Sequence, residues 1–252
     1  MIATTVLGGE LVLLGMLAVT TGLGPVGWAV GTAHAVVLAV LLARRREDGP
    51  RPADRVTGLR AVLGGGVTAL VADGVAGHAV DVAVLVVLAG LALALDAVDG
   101  RVARRTGTAS AFGARFDMEA DAWLIAVLAV HVAGLLGAWV LAIGAMRYAY
   151  VAGTAVVAWM RAPVPPTRGA KIVAAAQGIA LVVASAQLLP VPAATAVVGT
   201  ALAALVWSFG RDVRWHVSRR RRGRSAAAPR RRSAAPRRAA SGSPDPAGTP
   251  RR

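Results

Sequence analysis

The chain has 252 residues, of which 56% are apolar and 16% charged, with a formal net charge of +15; so apolar a composition argues against an ordinary soluble domain and for a membrane protein. Cysteine is absent, which excludes disulfides, thiolate nucleophiles and Cys-ligated zinc. Of the 28 Lys and Arg residues, 14 fall between Arg211 and Arg252, so the basic character belongs to one end of the sequence, and nucleic acid is not an expected partner.

Several uncharged stretches approach or exceed the roughly 18 to 20 residues that cross a bilayer as a helix. Residues 2–21 and 26–43 are the first two, joined by Gly22-Leu23-Gly24-Pro25 into a tight hairpin. The first lacks the positively charged start and A-x-A-like cleavage site of a signal peptide, so it reads as a retained span. Glu10 and His34 are the strongly polar residues of this hairpin. Pairing them offsets the cost of burying an acid, although an acid at membrane depth is also a functional candidate.

Residues 47–57 are too polar for the hydrocarbon and form an interfacial segment, with Asp54 placed to cap the next helix. A third span runs from about Val56 to Ala72, where Gly64, Gly65 and Gly66 weaken the helix but admit a close neighbour. From Val82 the chain is apolar until it turns polar at Asp96 and Asp99. A turn at Thr106-Gly107-Thr108 leads to a helix from about Ala109 to Gly134, with Gly113, Asp117 and Asp121 in its first half. Ala138 to Met160 follows, with Arg147 mid-helix, and the prolines of the loop at 161–171 end it. Ile172–Leu189 and Ala193–Phe209 bring the expected number of spans to eight.

Charge sets the orientation of such a bundle, because Lys and Arg in short loops stay cytoplasmic. With eight spans, the loops at 44–55, 101–105, 161–171 and from 211 onward share one side and hold nearly every Lys and Arg, while those at 22–25, 73–81, 134–138 and 189–192 hold none. Both termini and the acids at 96–121 are therefore expected on the cytoplasmic side, with a bacterial cell membrane as the setting. The segment from Val217, with its Arg-rich and Pro-rich repeats, is expected to be disordered. It serves either as a solvated topogenic tail or to attract anionic lipid at roughly 1 kcal/mol per basic residue near the surface. The expected division is an N-terminal hairpin at 1–46, a membrane core at 47–216 and a basic tail at 217–252.

Five carboxylates lie between Asp96 and Asp121. They follow the pattern D-x2-D-G-x2-A-R-x8-G-x3-D-x3-D, with Asp96, Asp99, Gly100, Ala103, Arg104, Gly113, Asp117 and Asp121 on its fixed positions. Helical spacing puts Asp96, Asp99, Gly100 and Ala103 on one face and Gly113, Asp117 and Asp121 on another. Four carboxylates facing one low-dielectric pocket repel, a conflict that divalent cations with oxygen ligands relieve. Two such ions sharing the acids would clamp a diphosphate for in-line displacement. Gly100, Ala103 and Gly113 leave room for helix packing or for a nucleotide, and Arg104 has the planar fork that suits phosphate.

In this stretch the chain resembles the CDP-alcohol phosphotransferase (CDP-alcohol phosphatidyltransferase) family, whose members are integral membrane enzymes that transfer a phosphorylated lipid or alcohol from a CDP-linked donor to an acceptor hydroxyl and release CMP. The resemblance implies an all-α polytopic bundle with a six-helix core, to which the N-terminal hairpin is additional, and leans toward a homodimer. It also implies Asp96, Asp99 and Asp117 as ligands of Mg²⁺ or Mn²⁺, with Asp121 beside them as ligand and general base. CDP and its phosphates would then meet Asp96, Gly100, Ala103, Arg104 and Gly113.

Arg115, Arg147, Arg161, Arg168 and Lys171 lie in or beside spans on the same side and suit an acceptor that carries phosphate. Arg147 is alternatively paired with Glu119 or another bundle acid, and the loop cations are alternatively cytoplasmic anchors. Ala122 stands where many bacterial relatives that use CDP-diacylglycerol have a basic residue, which weakens glycerol phosphate and inositol phosphate as acceptors. The activity expected is phosphatidyl transfer from CDP-diacylglycerol to a small polar alcohol or alcohol phosphate, in phospholipid synthesis at the membrane. The alternatives are transfer from a CDP-linked small alcohol to diacylglycerol and, from another class, a non-catalytic cation-binding or transport protein. The second would need polar positions along several spans, whereas here they gather at one end of two helices.

Overall fold

A computed structural model of the chain describes residues 2–44, 52–106, 111–157, 159 and 167–227, with side chains except at 2, 52–55, 97–106, 111, 112, 114, 168 and 221–227. The described residues form eight α-helices and no strand. They are α1 (Ile2–Thr21), α2 (Pro25–Ala43), α3 (Pro52–Val75), α4 (Val82–Thr106), α5 (Ala111–Leu136), α6 (Leu141–Val156), α7 (Arg168–Ser185) and α8 (Val191–Ala227), with a 3-10 turn at Ala138–Val140 before α6. Six of these helices are long and apolar enough to cross a membrane, while the apolar parts of α4, Val82–Asp96, and of α7, Gly169–Ser185, are shorter. The architecture is a polytopic helical membrane bundle. Its exposed surface carries large apolar side chains such as Val12, Met16, Val36, Trp207 and Val156, as lipid-facing helices do.

α3 is the central helix. Its apolar window is 67% buried, against 17 to 28% for the other five long spans, and it packs against α1, α2, α4 and α5. Two of the three glycines, Gly65 and Gly66, explain how so many neighbours fit. A Cβ on Gly65 would collide with the Glu10 carboxylate, and one on Gly66 would lie 2.8 Å from Leu13 Cδ2 and 3.2 Å from Leu88 Cδ1. Between them the glycines let α1, α2 and α4 close on one helix, the exchange of helix propensity for packing expected from the sequence.

The N-terminal hairpin is tied to α3 near its turn and to itself further along. Near its turn, Asp73 of α3 accepts hydrogen bonds from the Gly24 N–H at 2.8 Å and the Gly27 N–H at 3.2 Å. Two orphan donors at the start of α2 are thereby satisfied by an acid from another helix. Further along, His34 Nδ1 lies 2.7 Å from the fully buried Glu10 Oε1, the pairing expected for these residues.

Several boundaries differ from those expected, among them α7, which runs from Arg168 to Ser185 instead of Ile172 to Leu189. α3 starts at Pro52, a residue pre-set for a first helical turn, so Asp54 lies inside the helix instead of capping it. α6 ends at Val156, short of Met160, with Val157 already extended. α8 continues as helix to Ala227, past the expected start of a disordered tail at 217, because arginine and alanine are good helix formers and need no apolar surroundings. Thr167 caps α7, its Oγ1 accepting from the Ala170 N–H at 3.2 Å.

Candidate metal centre

The polar end of α4 and the first turns of α5 meet beside α3. Asp96 closes the apolar part of α4, and Asp117 and Asp121 are four residues apart on α5, hence one above the other on a single face. One carboxylate oxygen from each of Asp96, Asp117 and Asp121 falls within 4.8 Å of the others. The three side chains are 44%, 34% and 34% exposed, so the cluster is walled by helices but open to one side.

Arg60 of α3 lies among them, its side chain 3% exposed. Its Nη1 is 3.1 Å from Asp96 Oδ1 and also donates to Asp117 Oδ1, while Nη2 donates to Asp121 Oδ1. Nε donates to the Ala92 carbonyl at 3.2 Å, which fixes the plane of the guanidinium. A rigid fork of donors can hold several carboxylates in register where a lysine ammonium could not. Among the described side chains, three aspartates face one guanidinium, and their all-oxygen donor set suits a hard ion such as Mg²⁺ or Mn²⁺.

The sequence reading overlooked Arg60. The signal was present, because a cation inside an apolar, glycine-rich span is expensive unless it meets acids from a neighbouring helix. Among the other expected site residues, Asp99, Gly100, Ala103 and Arg104 belong to α4, but their side chains are outside the described residues. Gly113 is half-buried in the first turn of α5. Arg115 is exposed and lines a cavity beside the cluster. Arg147 Nη2 donates to Glu119 Oε1 at 2.6 Å, so its partner is the bundle acid offered as the alternative to a phosphate. Lys171 is exposed near the start of α7. Arg161 and the Arg168 side chain lie outside the described residues.

The hairpin reaches this centre through aromatic contact. The His34 ring stacks on Trp123, with centroids 6.0 Å apart and planes 28° from parallel. The indole N–H of Trp123 donates to Thr68 Oγ1 at 3.0 Å, and that hydroxyl donates to the Gly64 carbonyl at 2.7 Å. Trp123 and Asp121 both line the space between these helices, so α2, α3 and α5 are joined around it. Between these helices lies a cavity of about 660 Å³, bounded by apolar side chains and by Arg60 and Asp121.

The protein-family model described as CDP-alcohol phosphatidyltransferase matches residues 51–208, more than half of the chain. No curated protein and no solved structure matches it.

Proposed function

The chain belongs to the CDP-alcohol phosphatidyltransferase family, and from that premise we propose that it transfers the phosphatidyl group of CDP-diacylglycerol to a small polar alcohol or alcohol phosphate, with Asp121 as general base. Membership makes it a membrane transferase of phosphate-containing groups that serves phospholipid biosynthesis. The observation that carries the finer reading is the convergence of Asp96, Asp117 and Asp121 from two helices, with their ligand atoms within 4.8 Å of one another.

In this reading Asp96, Asp99, Asp117 and Asp121 hold Mg²⁺ or Mn²⁺, two ions when the donor's diphosphate adds its own negative charge. When bound, the ions neutralise the diphosphate and stabilise charge that develops on the leaving phosphate. The chain's residues do the rest. Arg60 holds the three carboxylates at fixed spacing against their mutual repulsion. Asp121 accepts the proton of the acceptor hydroxyl as that oxygen bonds to the phosphorus attached to diacylglycerol. The bond from this phosphorus to the oxygen bridging to CMP breaks, and CMP leaves with the electron pair. Asp96, Gly100, Ala103, Arg104 and Gly113 are assigned to the CDP moiety, and Arg115, Arg147, Arg161, Arg168 and Lys171 to an acceptor phosphate. Arg147 is held toward the site by Glu119, 2.6 Å away.

The same reading puts both termini and the acids on the cytoplasmic side of a bacterial cell membrane, on the strength of the loop charges. It divides the chain into a hairpin at 1–46, a transferase core at 47–216 and a basic C-terminal segment at 217–252, and a family match that begins at residue 51 supports the first boundary. Incubating the purified chain with CDP-diacylglycerol and a panel of polyols and polyol phosphates, then identifying the lipid formed, tests the proposal. A new phospholipid with equimolar CMP is expected. A product formed only from a CDP-linked small alcohol and diacylglycerol would reverse donor and acceptor, and no product from either pairing would refute it.

A further inference from the structure

The cavity beside the metal centre has a wall that the transferase core does not supply. Val30, Ala33, His34, Val37, Leu38 and Leu41 of α2 line it. Their spacing of three and four residues makes them one continuous stripe of that helix. Facing them are α3 and the first half of α5, where the lining includes Phe116 and Leu124. The lining mixes two chemistries: Arg60, Arg115, Glu119 and Asp121 carry charge, and the aliphatic side chains of α2 supply an apolar wall.

Its dimensions fit one occupant. Val30 and Leu41 are separated by about 16 Å along the axis at 1.5 Å per residue. Half of a hydrocarbon core of about 30 Å is about 15 Å. The cavity therefore runs the depth of one leaflet, which is the reach of one acyl chain, and its volume of about 660 Å³ is that of a ligand site rather than a packing defect. A chain lying there would have its glycerol end against Arg60 and Asp121. Bilayer lipid in general has no reason to place its headgroup at these residues, whereas the lipid that reacts there must.

The geometry points to the N-terminal hairpin as part of the substrate site, with the stripe on α2 forming one wall of a slot that takes an acyl chain of the diacylglycerol moiety during transfer. This rests on the proposed phosphatidyl chemistry but not on its direction, because diacylglycerol occupies the same place as part of the donor or as acceptor. The Glu10–His34 pair and the stacking of His34 on Trp123 then have a purpose beyond satisfying a buried acid: they hold the wall at a fixed distance from α5.

The test uses the full chain in nanodiscs and a CDP-diacylglycerol carrying a diazirine near the end of one acyl chain. Photolysis is expected to label peptides covering 30–41 and 116–124, and excess unlabelled CDP-diacylglycerol, but not phosphatidylcholine, should suppress the label. Label suppressed equally by both lipids would assign the slot to bulk lipid and overturn the proposal, as would label confined to other helices. CMP release is measured in the same preparation. Its absence with every acceptor would count against the phosphatidyl reading, whereas CMP release without competed label on α2 would sink the acyl slot alone.

A second arm fills the slot with Ala33→Trp and compares it with Val36→Trp, which introduces the same side chain on α2 at a residue absent from the lining. Ala33→Trp should lower the ratio of kcat/KM for long-chain over short-chain donor by about tenfold or more, since lost apolar contacts discriminate on that scale. Val36→Trp should leave the ratio and the activity unchanged. An unchanged ratio in an active Ala33→Trp protein would overturn the proposal.

Discussion

Replacing Arg60 by Met removes a positive charge from among Asp96, Asp117 and Asp121 while keeping an unbranched apolar stem in α3. Breaking a buried charge pair by deleting one partner costs about 3 to 5 kcal/mol. The acids are 34 to 44% exposed, and water screens part of that loss, so about 1 to 3 kcal/mol is expected here. For a chain of this size that lowers the melting temperature by about 2 to 4 °C per kcal/mol. The loss should depend on metal. Without Arg60 the acids are left one unit more negative and bind a divalent cation more tightly. A ligand at a hundredfold excess over its Kd adds about 2.7 kcal/mol to the folded state. Tryptophan-fluorescence melting in chelator and in excess MgCl₂ should therefore show Arg60→Met well below the wild type in chelator, with the larger gain on adding metal. Arg60→Lys should fall between them. If Arg60→Met melts with the wild type in chelator, or gains no more than the wild type from metal, Arg60 does not balance the acids.

Asp121→Asn retains a side-chain oxygen for the Arg60 guanidinium but has no basic carboxylate, so CMP release should fall by about 10² to 10⁴ while Mn²⁺ binding persists. Activity within a few-fold of the wild type would remove the assignment of Asp121 as base. Asp73→Ala strips the Gly24 and Gly27 N–H groups of their acceptor and should cost about 0.5 to 2 kcal/mol, read as a lower melting temperature that Asp73→Asn largely restores. Glu10→Ala deletes a hydrogen bond of 2.7 Å to His34 at a fully buried position and should destabilise by about 1 to 3 kcal/mol, the cost of leaving a buried partner unsatisfied. Equal stability of Glu10→Ala and wild type would show that this pair does not hold the hairpin.

What the sequence made legible follows from how membrane sequences encode structure. Uncharged runs set the helices, and acids at fixed spacing mark Asp96, Asp117 and Asp121, because a carboxylate at membrane depth is costly and stands out against alanine and leucine. Glu10 and His34 could be matched for the same reason, as the polar residues of an apolar hairpin. Arg60 escaped because charge was read loop by loop for topology, and an arginine four residues inside a span looks like the fringe of the basic 44–55 segment. Its role depends on α3 packing against both α4 and α5, which periodicity along one helix does not encode. Arg147 shows the reverse limit: a mid-span cation signals that a polar partner exists, and the fold identifies Glu119 as one such partner. The continuation of α8 to Ala227 was hidden by composition, since an arginine-rich stretch reads as solvated whether or not it is helical.

The central claim is that the aspartates brought together by α4 and α5 perform phosphatidyl transfer. The most direct measurement is CMP release from CDP-diacylglycerol, with the panel of acceptors, by the purified chain and by Asp117→Asn, each with Mg²⁺ present and with divalent cations chelated. The account expects CMP and a new phospholipid from the wild type only when the cation is present, and at most a trace from Asp117→Asn in either condition. Turnover that survives both chelation and Asp117→Asn would contradict it.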